Sequence, residues 1–280
     1  MRSVTIAQTQ ADVFAANRAT GDVALTAASV AGRTRRVRLH EDGSLRLRFP
    51  NVAPGAPLEA ILVNTGGGMT GGDRFSIDLA LGEDARLLAG TAAAEKVYRS
   101  TGADAELAVT FTLAAGANLA WLPQETILFD QARLNRRIDI AMADDASLVL
   151  CEAVVFGRSA MGETVDHGLL RDRWRLRRGG RLVFAETVQL DGAIGARLAE
   201  PAVAANGAAI ASLLLVPGDD AAATAVRALN DTFAGEVGVS AWNGLALVRF
   251  CARDGAALRH DIICVLAALR RSELPRLWLS

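Results

Sequence analysis

Four segments of this chain open alike, each where one alternating stretch turns into the next: Ala85-Arg86-Leu87, Ala117-Asn118-Leu119, Ala146-Ser147-Leu148 and Gly180-Arg181-Leu182. Their starts lie 32, 29 and 34 residues apart, the period of stacked supersecondary units. Gly43-Ser44-Leu45 reads as an earlier, less regular copy. The strands feeding these turns alternate cleanly: Leu107, Val109, Phe111 and Leu113 take one face, Glu106, Thr110 and Thr112 the other. One face is therefore buried and one solvated. Arg171, Arg173, Arg175 and Arg177 alternate in the same way with Trp174 and Leu176, which makes the arginine run a solvated sheet face. Stacking such units gives a mainly β chain, with a layered, β-helix-like or sandwich-like body rather than a doubly wound α/β sheet.

The pattern changes at Pro217-Gly218-Asp219-Asp220, where aspartates can cap a helix carrying Ala222, Val226, Leu229 and Phe233. A second helix carries Leu258, Ile262, Val265, Leu266 and Leu269, with Pro275 beyond it, and Leu245 to Phe250 between the two reads as a strand. The expectation is one domain over 1–280: a β-rich body from about residue 20 to 216, and a small mixed α/β cap with two helices from about 217 to 280.

Composition excludes several function classes. The 280 residues are 51% hydrophobic and 22% charged, enough for a large core, and the net charge of −1 provides no global basic field for nucleic acid or an anionic membrane. The N-terminus lacks the apolar core of a signal peptide, and no window approaches the roughly 18 apolar residues of a membrane span, so a cytoplasmic location is expected. Cys151, Cys251 and Cys264 stand apart among apolar neighbours, as reduced thiols do.

Gly66-Gly67-Gly68-Met69-Thr70-Gly71 satisfies the spacing of a dinucleotide fingerprint, which works by presenting phosphates to a helix N-terminus. Here the run leads instead into Asp73 and the alternating strand Phe75, Ile77, Leu79 and Leu81, and no Lys-Ser/Thr pair comes after Gly72. The glycines thus serve a bend between two strands. There is no G-x-S-x-G, no H-E-x-x-H and no paired cysteine spacing of a zinc site.

Polar groups recur at one level of the repeat. Six residues beyond each opening Ala or Gly lie Thr91, Pro123, Glu152 and Glu186, close to Glu95, Lys96, Tyr98, Arg99, Gln124 and Glu125. Stacked layers would bring these together. The densest set of ligand-capable side chains is Phe156 to His167, which includes Arg158, Glu163, Asp166 and His167, and such a set can hold a cation or form ion pairs.

Taken in order, Gly32-Arg33-Thr34, Gly67-Gly68 with Gly72-Asp73, Thr91 through Lys96-Val97-Tyr98-Arg99-Ser100, Trp121-Leu122-Pro123-Gln124-Glu125 with Ile127 and Phe129, Gly157-Arg158 and Gly162-Glu163 resemble the urease accessory proteins of the D type, called H in some organisms. The resemblance implies a non-enzymatic maturation factor that binds urease apoprotein and recruits the F accessory protein and, through it, the nickel-carrying GTPase G. It also implies an internal passage for the ion and a complex able to dimerise through F. Ni²⁺ in transit, with no tightly bound cofactor, needs oxygen and nitrogen ligands that hold it briefly rather than a thiolate cage. On grounds of clustering, Asp73, Glu125, Glu152, Glu163, Asp166 and His167 are expected near such a passage, with Gly67, Gly68, Gly72, Lys96, Tyr98, Arg99 and Arg158 fixing its geometry. The stacked repeats alone also permit a β-helical carbohydrate-active enzyme, and the glycine run a nucleotide-binding enzyme.

Overall fold

In the computed structural model, which describes residues 17–158, 161–270 and 274–279, two β-sheets face each other and the chain passes repeatedly from one to the other. The first sheet contains β1 (Thr20–Val30), β2 (Arg33–Gly43), β5 (Arg74–Leu81), β8 (Ala105–Leu113), β11 (Arg133–Met142), β13 (Gly168–Arg178) and β14 (Arg181–Gly192), in the order β14-β13-β11-β8-β5-β1-β2. The second contains β3 (Leu45–Arg48), β4 (Leu58–Asn64), β6 (Arg86–Thr91), β9 (Asn118–Trp121), β12 (Ser147–Phe156), β15 (Ala209–Val216), β16 (Glu236–Trp242) and β17 (Leu245–Ala252), in the order β16-β17-β15-β12-β9-β6-β4-β3. The short strands β7 (Glu95–Val97) and β10 (Thr126–Leu128) pair with each other, and β10 also pairs with β12.

The centre is a parallel stack. In the first sheet β5, β8, β11 and β13 lie parallel; in the second β4, β6, β9 and β12 do. Arg86 faces Asn118 and Asn118 faces Ser147, so the openings at Ala85, Ala117 and Ala146 are superposed coils of a β-solenoid-like body. The alternation explains the layering: Phe75, Ile77, Leu79, Val109, Phe111 and Ile138 from one sheet meet Leu87, Leu119, Trp121 and Leu148 from the other in one buried core. The arginines of β13 alternate with buried Trp174 and Leu176, and Arg175 and Arg177 are exposed.

The opening at Gly180 does not stack as a fourth coil. Gly179 and Gly180 have φ of +53° and +80° and close a two-residue turn between Arg178 and Arg181, so β14 returns antiparallel beside β13 in the same sheet. Gly43-Ser44-Leu45 likewise starts a strand, β3, that pairs antiparallel with β4. The run Gly66 to Asp73 joins β4 of one sheet to β5 of the other with no helix after it, and is a bend between layers.

Beyond the stack the second sheet continues antiparallel through β15, β17 and β16. Helix α1 (Ile194–Ala199) comes after β14; α2 (Asp220–Arg227), α3 (Gly255–Leu269) and the short α4 (Arg276–Leu279) belong to the C-terminal quarter. Asp219 caps α2 by accepting from the Ala222 amide at 2.9 Å, and Asp254 caps α3 by accepting from Ala257 at 2.8 Å. Leu258, Ile262, Val265 and Leu266 of α3 close a second core with Leu213, Val248 and Phe250 of the sheet beneath. No helix among the described residues is long and apolar enough to cross a membrane.

Candidate functional site

Where the parallel stack gives way to antiparallel strands, the two sheets part around a cavity of about 480 Å³. Leu170, Asp172 and Trp174 of β13 and Val188 and Leu190 of β14 form one wall. Glu152 and Val154 of β12, with residues of β15, β16 and β17, form the other. Leu198, Val203 and Ala204 close an end. At the outer side Arg249 of β17 reaches across to Glu186 of β14 at 2.5 Å, an ion pair that bridges the two sheets.

The walls carry a cluster of three buried charges, Arg136, Glu152 and Asp172. Arg136, 1% exposed, occupies an inward position of β11 between Leu134 and Ile138. Its Nε donates to Asp172 Oδ1 at 3.0 Å and Nη2 to Asp172 Oδ2 at 2.5 Å, a bidentate pair, while Nη1 donates to Glu152 Oε2. Two indoles complete the shell: Trp121 Nε1 donates to Glu152 Oε1 at 2.7 Å, and Trp174 Nε1 to Asp172 Oδ1 at 3.0 Å. Burial pushes the Glu152 carboxyl up against the pull of Arg136, and burial also raises the Cys151 thiol beside it. For Arg136 burial acts against the charge, but Asp172 and Glu152 outweigh it and the guanidinium is held cationic. Two carboxyl groups thus surround one guanidinium, with Glu236 and Arg249 further out in the lining, and burial works against full ionisation of Glu152. Carboxylates of this kind can exchange a bound proton for a cation.

Of the carboxylates and histidine singled out from the sequence, Glu152 alone lines this cavity. Asp73 is 3% exposed and accepts from the amides of Ala19 and Thr70, both at 2.8 Å, which closes the bend onto the start of β1. Glu125 lies 3.7 Å from Arg259 of α3, whose guanidinium also stacks on Trp278 and donates to Gln124 Oε1 at 2.6 Å. Glu163 pairs with Arg158 at 2.7 Å, and hydrogen bonding from that guanidinium holds its carboxyl below the usual range. Asp166 and His167 are exposed, and their amides donate to Asp130 Oδ1. No three of the His, Cys, Asp and Glu side chains among the described residues are placed to hold a metal ion.

Gly67, Gly68, Tyr98 and Arg158 lie together at the bend, and none of them lines the inter-sheet cavity. Gly68 has φ +151°, and a Cβ there would lie 2.3 Å from the Tyr98 ring and 2.7 Å from the Lys96 carbonyl. Tyr98 donates its hydroxyl to Gly67 O at 3.1 Å and meets Phe129 edge-on at 4.9 Å; Arg158 lies over Phe129 at 4.3 Å. Gly72, Arg99 and Arg18 line a neighbouring surface hollow. Below the bend, Asn64 Nδ2 donates to both Glu95 oxygens at 3.1 and 3.2 Å, yet burial pushes Glu95 up to about 7.

A raised carboxyl pKa means that the fold holds the proton more tightly than the unfolded chain does. The Glu95 contribution is therefore full below its ordinary value of 4.5 and is lost as pH rises through 7. Glu95→Gln is expected to flatten the stability slope between these limits and to raise stability at pH 8 by about 1–3 kcal/mol, read from urea unfolding at both ends.

Arg136, Asp172, Trp121 and Trp174 complete the buried cluster. Arg136 and Asp172 are charged residues at inward positions of strands whose neighbours inward are Leu134, Ile138, Leu170 and Trp174, and that break in the alternation is the signal for them. A family model described as UreD urease accessory protein matches residues 19–279. The chain is 59% identical over 268 residues to the urease accessory protein UreD of Rhodopseudomonas palustris strain BisB5, with 96% of this chain and 94% of that protein covered. It is 56% identical over 280 residues to the protein of the same name from strain ATCC BAA-98 / CGA009, with both chains covered completely. To the UreD of Bradyrhizobium diazoefficiens it is 57% identical over 268 residues, covering 96% of each. The chain therefore belongs to the UreD family of urease accessory proteins.

Proposed function

We propose that this chain is a non-catalytic, cytoplasmic urease maturation factor. In this reading it binds urease apoprotein, recruits the F accessory protein and through it the GTPase G, and passes Ni²⁺ toward the urease active site. The observation that carries the nickel part is the inter-sheet cavity with its buried carboxyl groups, where Glu152 and Asp172 are held by Arg136 and two indoles. Ni²⁺ is a borderline ion that prefers nitrogen ligands, so carboxylate oxygens alone hold it weakly, which suits an ion that must be released again. Arg136 keeps the two carboxylates from repelling each other while the site is empty, and an arriving cation can take over part of that role.

In cells that express a urease operon lacking this gene, urease should accumulate as apoprotein, and the gene supplied in trans should restore nickel. The tagged chain should at the same time retain urease and the F protein on an affinity column. Nickel content equal with and without the gene would remove the reading.

A further inference from the structure

Strand β2 ends the first sheet, and among the described residues no strand of either sheet pairs with its outer edge. Its first half, Arg33 to Arg38, is strongly basic, while Glu41 and Asp42 lie toward its other end. Arg33, Arg35, Arg36 and Arg38 are all exposed, and among the described residues none of the four makes an ion pair. The first three line a hollow of about 440 Å³ with Phe49, Asn51 and Val52 from the segment that leads into β4, and no carboxylate among the described residues lines it. Arg36 stacks over Phe49 at 5.0 Å, so one guanidinium is held in place by an aromatic face rather than by an acid. The register shift between Thr26 and Ala27 leaves Val37 as an extra residue on β2, 63% exposed, and Val52 is 39% exposed. Exposed valines beside arginines without an acid partner are an unusual surface for a chain whose net charge is only −1.

From this we infer that the hollow between β2 and residues 49–58 is a docking site for an acidic, extended segment of a partner protein, whose carboxylates pair with Arg33, Arg35 and Arg36 and whose apolar side chains cover Val37 and Val52. Arginines on a sheet edge also guard it against indiscriminate pairing. That role needs charge alone, whereas a concave floor of Phe49 and Val52 under the guanidiniums gives an acidic chain both contact and register. The site lies on a different strand from the inter-sheet cavity and does not depend on the nickel reading.

Fluorescein-labelled poly-L-glutamate titrated with the full-length protein at low ionic strength tests the inference. Wild type should raise its anisotropy saturably, and R33E/R35E/R36E should bind about tenfold more weakly or worse, with an unchanged melting profile. R33Q/R35Q/R36Q should fall between them, and R171E/R175E/R177E, the same charge change on β13, should bind as wild type does. Absence of binding by wild type, equal binding by the β2 and β13 variants, or tighter binding of a single-stranded oligonucleotide through the same arginines would overturn it.

Discussion

Replacing Arg136 with methionine is expected to destabilise the protein by about 3–5 kcal/mol, because removal of one partner leaves buried charge without compensation. The melting temperature should fall by roughly 10 °C. Glu152 and Asp172 are 6% and 7% exposed, and each takes its charged hydrogen bonds from the same guanidinium. The two indoles satisfy one oxygen of each carboxylate but supply no positive charge. The loss should depend on pH in a defined direction. With Glu152 already raised by burial, the variant relieves its excess charge by taking up protons, so the deficit should be smaller at pH 5 than at pH 8. Making all three groups neutral, as R136M/E152Q/D172N, should recover most of the loss, since the indoles can still donate to the amide oxygens. An equal deficit in the single and triple variants would mean that packing, not charge, is what Arg136 supplies.

The second large effect is expected on delivery rather than stability. Gly238 lies on β16 at the cavity wall, and a Cβ built there meets nothing within 4 Å. It also carries no positive φ, so a side chain is tolerated by the backbone. Gly238→Trp should therefore fold, with a stability within about 1 kcal/mol of wild type, while placing an indole at the side of the cavity where Arg249 crosses to Glu186. Gly238→Ala fills the same first position without reaching across. If an ion moves between the sheets, only the tryptophan should obstruct it.

Much of the fold is legible in the residues. Alternation fixes which faces are buried, and the recurrence at Ala85, Ala117 and Ala146 corresponds to real stacking. The opening at Gly180 shares those letters but not their context. Two adjacent glycines allow a hairpin too tight to carry the chain across to the other sheet, and the local turn wins over the repeat. The cavity is less legible. Counting along the repeat reaches Glu152, and it reaches Glu186 too, although that residue stands on the facing sheet and meets Arg249 from 63 residues away. Asp73 lies in a loop dense in family residues, yet both its oxygens are used by backbone amides. Glu163, Asp166 and His167 are adjacent in sequence, but one pairs with Arg158 and the other two point to no common centre with it among the described residues. Nearness along the chain is a poor guide to a site made by two sheets that only folding brings face to face.

The most direct test is the nickel content of urease purified from cells in which the operon carries wild type, Gly238→Ala or Gly238→Trp in this gene, with each variant shown to be folded and to retain urease on a column. A passage between the sheets predicts wild-type nickel with alanine and urease largely without nickel with tryptophan. Full nickel loading with tryptophan in place would contradict it.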